Sequence, residues 1–289
     1  MIFKRIKTYM VYTKPKVWWL LVFTALGGAL AAGGSKTPLN LLALSALTVA
    51  LGCMGAEALA NYMDRDIDAL MERTKNRPLP RGEITPKKAI IFGLILIIGA
   101  LITSYLANPL ASILMGLGIF DYTLVYVRWL KRKSRWNILF GSFAGGAPTL
   151  IGYSIVANTL DLFAFLLALL VILWIPAHIW SLALRTKDDY IRAKVPMLPT
   201  LVGERTSTIC IASASLLTAL FSLLIIFVGN LGIIYLVLAL ILGSLLAFQS
   251  LRLLIKPQVS LYWKLFKFSS PYLALIYFAL IMDKLFFTF

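Results

Sequence analysis

Nine apolar runs, each long enough to cross a lipid bilayer, decide what this chain can fold into. They cover residues 17–34, 39–60, 89–106, 109–127, 138–156, 160–180, 208–228, 231–249 and 271–288. A helix needs about 20 apolar residues to span the hydrocarbon. The runs are continuous rather than alternating, which argues against a transmembrane barrel. A helix also satisfies its own backbone polar groups, the condition for crossing lipid. Only 14% of the 289 residues are charged, and mean hydropathy is +0.87. A soluble domain carries about 25% charged residues, and one of this length has too little interior to hide so much apolar surface. The expectation is an all-α, polytopic, nine-helix bundle forming a single membrane-embedded domain over residues 1–289.

The charges set an orientation. Residues 1–16, 65–88, 128–135, 185–205 and 252–267 hold 26 of the 28 basic residues. The intervening turns, near 35–38, 107–108, 157–159 and 229–230, carry only Lys36. By the positive-inside rule the charged face and the N-terminus are cytoplasmic and the C-terminus lies outside. The formal charge of +16 follows from topology and anionic headgroups, so no nucleic-acid partner is expected. The first run continues into eight more, unlike a cleaved signal peptide. No Arg/Ser-rich transit segment precedes it, and a prokaryotic plasma membrane is expected. Cys53 and Cys210 lie in apolar runs as packing residues, with no disulfide or metal framework expected.

Three aspartates crowd the segment after the second run: Asn61-Tyr62-Met63-Asp64-Arg65-Asp66-Ile67-Asp68. A helix continued through Asp68 puts Glu57, Asn61, Asp64 and Asp68 on one stripe and turns Asp66 away. Two carboxylates one turn apart suit Mg²⁺, which takes oxygen ligands and fills its shell with phosphates and water. Arg73, Lys75, Arg77 and Arg81 follow, and arginine forks match phosphate oxygens. Two readings stay open: a Mg²⁺-diphosphate site, or a helix end with mixed charges held by i,i+4 pairs.

A second acidic segment, Lys187-Asp188-Asp189-Tyr190, follows the sixth run. Like the first it leads into a proline pair, Pro196 and Pro199 against Pro78 and Pro80. The two lie four helices apart, so both face the same side, which hints at a distant internal repeat. Between them runs Tyr126-Val127-Arg128-Trp129-Leu130-Lys131-Arg132-Lys133-Ser134-Arg135-Trp136-Asn137, readable as a topogenic loop or as an anion clamp. Gly141, Gly145 and Gly146 read as close helix packing. Asp121, inside the fourth run, calls for a cavity or a partner. His178 is the only histidine; it reads as a hydrogen-bonded core residue or as part of a cavity wall.

These residues resemble the UbiA superfamily of intramembrane prenyltransferases, and within it the heme-farnesylating branch. The resemblance rests on Asp64 to Asp68 with Met71 to Pro78, on Leu130-Lys131-Arg132 through Asn137 to Gly145-Gly146-Ala147-Pro148 and Tyr153, and on Pro176 to Ala183 with Lys187 to Tyr190 and Pro196 to Pro199. It covers about residues 55–205; the last three helices fit in number alone. The superfamily pattern has Asn four residues before the first Asp, where this chain has Ala60 followed by Asn61. The branch usually has Pro-His and Gly-x-Pro-Pro, where this chain has Ala177-His178 and Ala147-Pro148-Thr149.

The resemblance implies transfer of farnesyl from farnesyl diphosphate to the vinyl group of heme B, with addition of water. It implies Mg²⁺ on Asp64 and Asp68 with Asp188 and Asp189. Arg73, Lys75, Arg77, Lys131 and Arg132 are its catalytic cations. Asn61, Arg65, Tyr126, Asn137, His178, Lys187 and Tyr190 are its substrate-binding residues, with His178 contacting the heme iron. A downstream heme A synthase or terminal oxidase is the implied partner. The competing readings are a prenyltransferase for a quinone precursor or lipid, a transporter, and a non-catalytic membrane heme-binding protein. A transporter needs ionisable groups along a route through the bilayer, whereas these cluster at one face.

Overall fold

The computed structural model describes residues 2–286, all of whose regular elements are helical. A short helix α1 (Ile2–Tyr12) precedes α2 (Pro15–Gly33), α3 (Leu39–Met63), α4 (Arg65–Leu70), α5 (Pro86–Ala107) and α6 (Pro109–Phe120). The last continues as a π-helical segment, Asp121–Leu130. Then come α7 (Asn137–Gly141), α8 (Phe143–Ala157), α9 (Leu162–Arg185), α10 (Lys187–Arg192), α11 (Leu198–Leu201), α12 (Glu204–Gly229), α13 (Ile233–Ile255) and α14 (Val259–Phe286). Among the described residues nine helices are long and apolar enough to cross a membrane. The protein is a multi-pass membrane protein.

Local chemistry ends the helices at the charge-poor turns. Asn108 Oδ1 accepts from Ala111 N (2.7 Å) and Asp161 Oδ1 from Ala164 N (2.9 Å), capping α6 and α9. Asn158 and Asn230 close α8 and α12 in the left-handed region, at φ 54° and 46°.

Two predicted boundaries are corrected. The second membrane helix does not run through Asp68: α3 ends at Met63, and α4 begins at Arg65. The stripe survives because Asp64 N still bonds Ala60 O (2.9 Å) and Asp68 N bonds Asp64 O (2.8 Å). The last helix starts at Val259 rather than 271, so Lys264 and Lys267 belong to it and Pro271 sits inside it. Charged side chains broke the apolar pattern without breaking the helix. Residues 287 and 288 of that run, and the C-terminal end assigned to the outside, lie outside the described residues.

Each long helix packs on the next, and α14 returns to α2, closing the bundle; α2 on α8 and α9 on α14 tie it across the middle. Glycine permits the α2–α8 approach. A Cβ at Gly152 would stand 1.9 Å from Ala25 O, and one at Gly28 2.2 Å from Thr149 O. The α9, α12 and α14 side is a solid core in which several buried tyrosine hydroxyls are paired. Tyr235 and Tyr272 donate to Ser222 (2.7 and 2.8 Å), and Tyr277 to Leu167 O (2.9 Å). The space left over lies between α2, α3, the π segment, α8 and α9.

Candidate active site

That space is a cavity of about 830 Å³. Asp68, Arg73, Arg77 and Lys131 border it where α4, the following loop and the end of the π segment meet. Its walls are largely apolar, but Glu57, Tyr122, Tyr126 and His178 line it too. The π geometry sets part of this wall. Lys131 N bonds Tyr126 O (2.8 Å), five residues back, so Tyr126 and Lys131 face the cavity one turn apart.

Each carboxylate of the acidic stripe is paired with a cation. Arg77 Nη1 donates to Asp68 Oδ2 (2.7 Å) and to Asn61 Oδ1 (3.4 Å). Lys131 Nζ donates to Asp64 Oδ2. Asp64 and Asp68 are 2% and 4% exposed, deep enough for these pairs to be little screened. Burial alone would lower the Lys131 ammonium, but the Asp64 carboxylate outweighs it and holds the group above its ordinary range. Asp64 Oδ1 is buried without a hydrogen bond, with Arg132 Nη2 4.0 Å away. Asp66 faces outward as expected, in a two-pronged bond to Arg132 (both 2.6 Å).

A second network crosses the wall deeper in the bundle. Lys14 donates to Glu57 Oε2 (2.7 Å) and Tyr122 to Glu57 Oε1 (2.8 Å). Glu57 lies seven residues before Asp64, about 10 Å along a helix. Lys14 sits at φ 53° between α1 and α2, a placement no spacing in the sequence announces. Tyr122 belongs to the π segment, whose widened register was equally hidden.

Several predicted residues have other work. Asp189 Oδ1 and Oδ2 accept from Glu72 N (3.0 Å) and Arg73 N (3.1 Å). It tethers the basic loop to α10, while Asp188 is exposed. Among the described residues no three His, Cys, Asp or Glu come together as metal donors, so the four-aspartate metal shell is not assembled. Asn61 is a strut, its Nδ2 on Tyr12 O (2.6 Å). Buried Asn137 ties its own turn to the proline segment through Ser134 O (2.8 Å) and Pro196 O (3.4 Å). Arg65 lies over the Tyr62 ring at 4.6 Å, Lys75 pairs with Glu72 at 2.5 Å on the surface, and Lys187 stands outside the cavity wall. Tyr126 and Tyr190 do line it. Asp121 finds a backbone partner, Ala144 N at 2.8 Å.

His178 lies between two rings. Trp174 stacks on it at 4.5 Å and Phe266 at 4.4 Å between centroids. Its Nδ1 is 2.6 Å from Ser269 Oγ, and Trp174 Nε1 donates to Ser269 O (2.7 Å). The stretch of α14 that does this carries no motif.

Asp64 and Asp68 fit a hard divalent cation. They are oxygen donors on adjacent turns, and Asp64 Oδ1 is an orphaned buried acceptor of the kind such an ion satisfies. The adjoining cations suit phosphate oxygens. The site can therefore hold an anionic, metal-chelating group at its charged end and apolar groups within the bundle.

Comparison with known proteins agrees with this architecture. The model of the UbiA prenyltransferase family matches residues 20–272. A protein of Thermoplasma volcanium named protoheme IX farnesyltransferase is 42% identical over 283 residues, covering 97% of this chain and 98% of its own. Another so named, from Desulforudis audaxviator, is 42% identical over 279 residues, covering 96% and 88%. Among solved structures, a digeranylgeranylglyceryl phosphate synthase superposes with TM-score 0.79 at 22% identity, covering 97% of this chain and 99% of that one. A UbiA homolog from Archaeoglobus fulgidus bound to GPP and Mg²⁺ gives 0.71 at 16% identity, covering 95% and 99%. Matched in sequence across most of its length and in fold throughout, the chain belongs to the UbiA prenyltransferase family.

Proposed function

We propose that this prenyltransferase joins the farnesyl group of farnesyl diphosphate to a vinyl group of heme B, with addition of water, giving heme O and diphosphate. The observation that carries the reading is a single cavity bordered by both the aspartate–cation cluster and His178. Relatives named protoheme IX farnesyltransferase support heme as acceptor. Family members bound to GPP or DMAPP with Mg²⁺ support an allylic diphosphate and a divalent metal.

The hard step breaks the allylic carbon–oxygen bond, whose electron pair leaves with the diphosphate. Asp64 and Asp68 are the residues that would hold Mg²⁺, which when bound supplies Lewis-acid stabilisation of the leaving diphosphate. Lys131 and Arg77 now rest on those carboxylates. On substrate binding they transfer to phosphate oxygens, so the positive charge is in place before the bond breaks. Arg73, exposed and bordering the cavity, joins them. The Asp189 tether holds its loop.

The farnesyl carbon then bonds the vinyl terminus, and the cation left beside the porphyrin takes the oxygen of one water, which loses a proton. The apolar walls keep other water away until then. His178 contacts the heme iron. The charged loops face the cytoplasm from a plasma membrane, and the product passes to a heme A synthase or terminal oxidase.

Acceptor choice tests the reading. Detergent-purified protein is offered farnesyl diphosphate and Mg²⁺ with heme B, a hydroxybenzoate-type quinone precursor, or a glycerol-phosphate lipid. Prenylated heme alone is expected; prenylation of either other acceptor in preference to heme would overturn it.

A further inference from the structure

Ser269 is 2% exposed and stands behind the cavity wall, whereas His178 is in it. The Nδ1 edge of the imidazole therefore points back into the α9–α14 interface. Nε2 lies at the opposite edge of the ring of a residue that lines the cavity, and the ring's hydrogen bond is made at Nδ1.

The proton can be placed by counting donors. Ser269 has one hydroxyl proton, and Oγ lies 2.8 Å from Phe266 O as well as 2.6 Å from Nδ1. A carbonyl only accepts. If the hydroxyl donates to Phe266 O, it accepts from Nδ1–H, all three groups are served, and Nε2 keeps a bare lone pair. The reverse tautomer gives up the Phe266 bond and leaves Nε2–H as an orphan donor against a largely apolar wall. Buried orphan donors are the rarer and costlier case.

We propose that Ser269 is a positioning residue that fixes His178 in the Nδ1–H tautomer, turning the Nε2 lone pair into the cavity as a neutral axial ligand for a heme iron. The ligand half rests on the heme reading above. Outer-shell partners of metal-binding histidines act in this way, setting tautomer and ring orientation. The Trp174 and Phe266 faces fix the ring plane, and Ser269 fixes which edge leads.

His178 is the only histidine, so ¹⁵N-histidine labelling reports on one ring. The detergent-solubilised full chain without heme should give a protonated Nδ1 and a bare Nε2. Ser269→Ala adds no bulk and should shift the ring toward Nε2–H. Ferric heme B is then titrated and followed by absorption and electron paramagnetic resonance. Wild type should show one axial imidazole. Ser269→Ala should weaken binding about 10–100-fold, and Ser269→Thr, which keeps the hydroxyl, should restore it. A wild-type Nε2–H ring overturns the inference without touching the heme reading. So does a Ser269→Ala variant with unchanged tautomer and affinity. A heme spectrum unchanged in His178→Ala overturns the ligand half and with it the assignment of His178 to heme.

Discussion

Asp64, Asp66 and Asp68 stand within five residues yet meet different physics. Asp68 borders the cavity on Arg77, Asp64 is buried beside it on Lys131, and Asp66 is outside. Asp68→Asn should lower kcat by about 10²–10³-fold, the scale of losing one preorganised electrostatic group, while the protein still purifies as a folded monodisperse species. Asp66→Asn should leave turnover within about twofold, the range of surface changes. Steady-state assays of the two variants check the contrast. Arg132 holds the Asp66 carboxyl down to about 2, below its unfolded value of about 3.9. A depressed carboxylate stabilises the fold above its unfolded pKa and loses that contribution as pH falls through the folded one. The pair is exposed, so its worth is at most about 1 kcal/mol. Melting curves of wild type and Asp66→Asn should run parallel above about pH 4 and converge toward pH 2. The outward turn of Asp66 was legible in the i,i+4 count. Lys14, Tyr122 and Ser269 were not, because each reaches its partner from 43, 65 or 91 residues away with no local pattern to mark it.

Among the elements, α2 against α8 is the contact with least tolerance. Gly152→Ala forces a methyl onto the Ala25 carbonyl, a backbone atom that cannot swing aside. A loss of about 1–3 kcal/mol is expected from such overpacking, read as a lowered melting temperature in detergent. Gly116→Ala, with nothing within 4 Å of the added carbon, should show no such loss. The apolar runs located the membrane helices because lipid demands length and hydropathy together. What hydropathy could not resolve was geometry at the charged ends: the break at Asp64, the π register after Asp121, and the early start of α14. The first two are set by local backbone hydrogen bonding, and the third by charged side chains that α14 carries ahead of its apolar run.

For the molecule as a whole, the alternation of charge-rich and charge-poor connections predicts sidedness. Cysteines introduced near 108, 158 and 230 should react with an impermeant thiol reagent added to intact cells. Those near 75, 133 and 194 should react only after lysis; the opposite pattern would invert the orientation. In the proposed reaction the same division places charge at the mouth and an apolar interior around two greasy substrates. The direct measurement of that claim is the mass of the heme recovered after incubation with farnesyl diphosphate and Mg²⁺, with and without EDTA. A gain of one farnesyl plus one water, abolished by EDTA, is expected. Heme recovered at its original mass, from protein that still binds it, would contradict it.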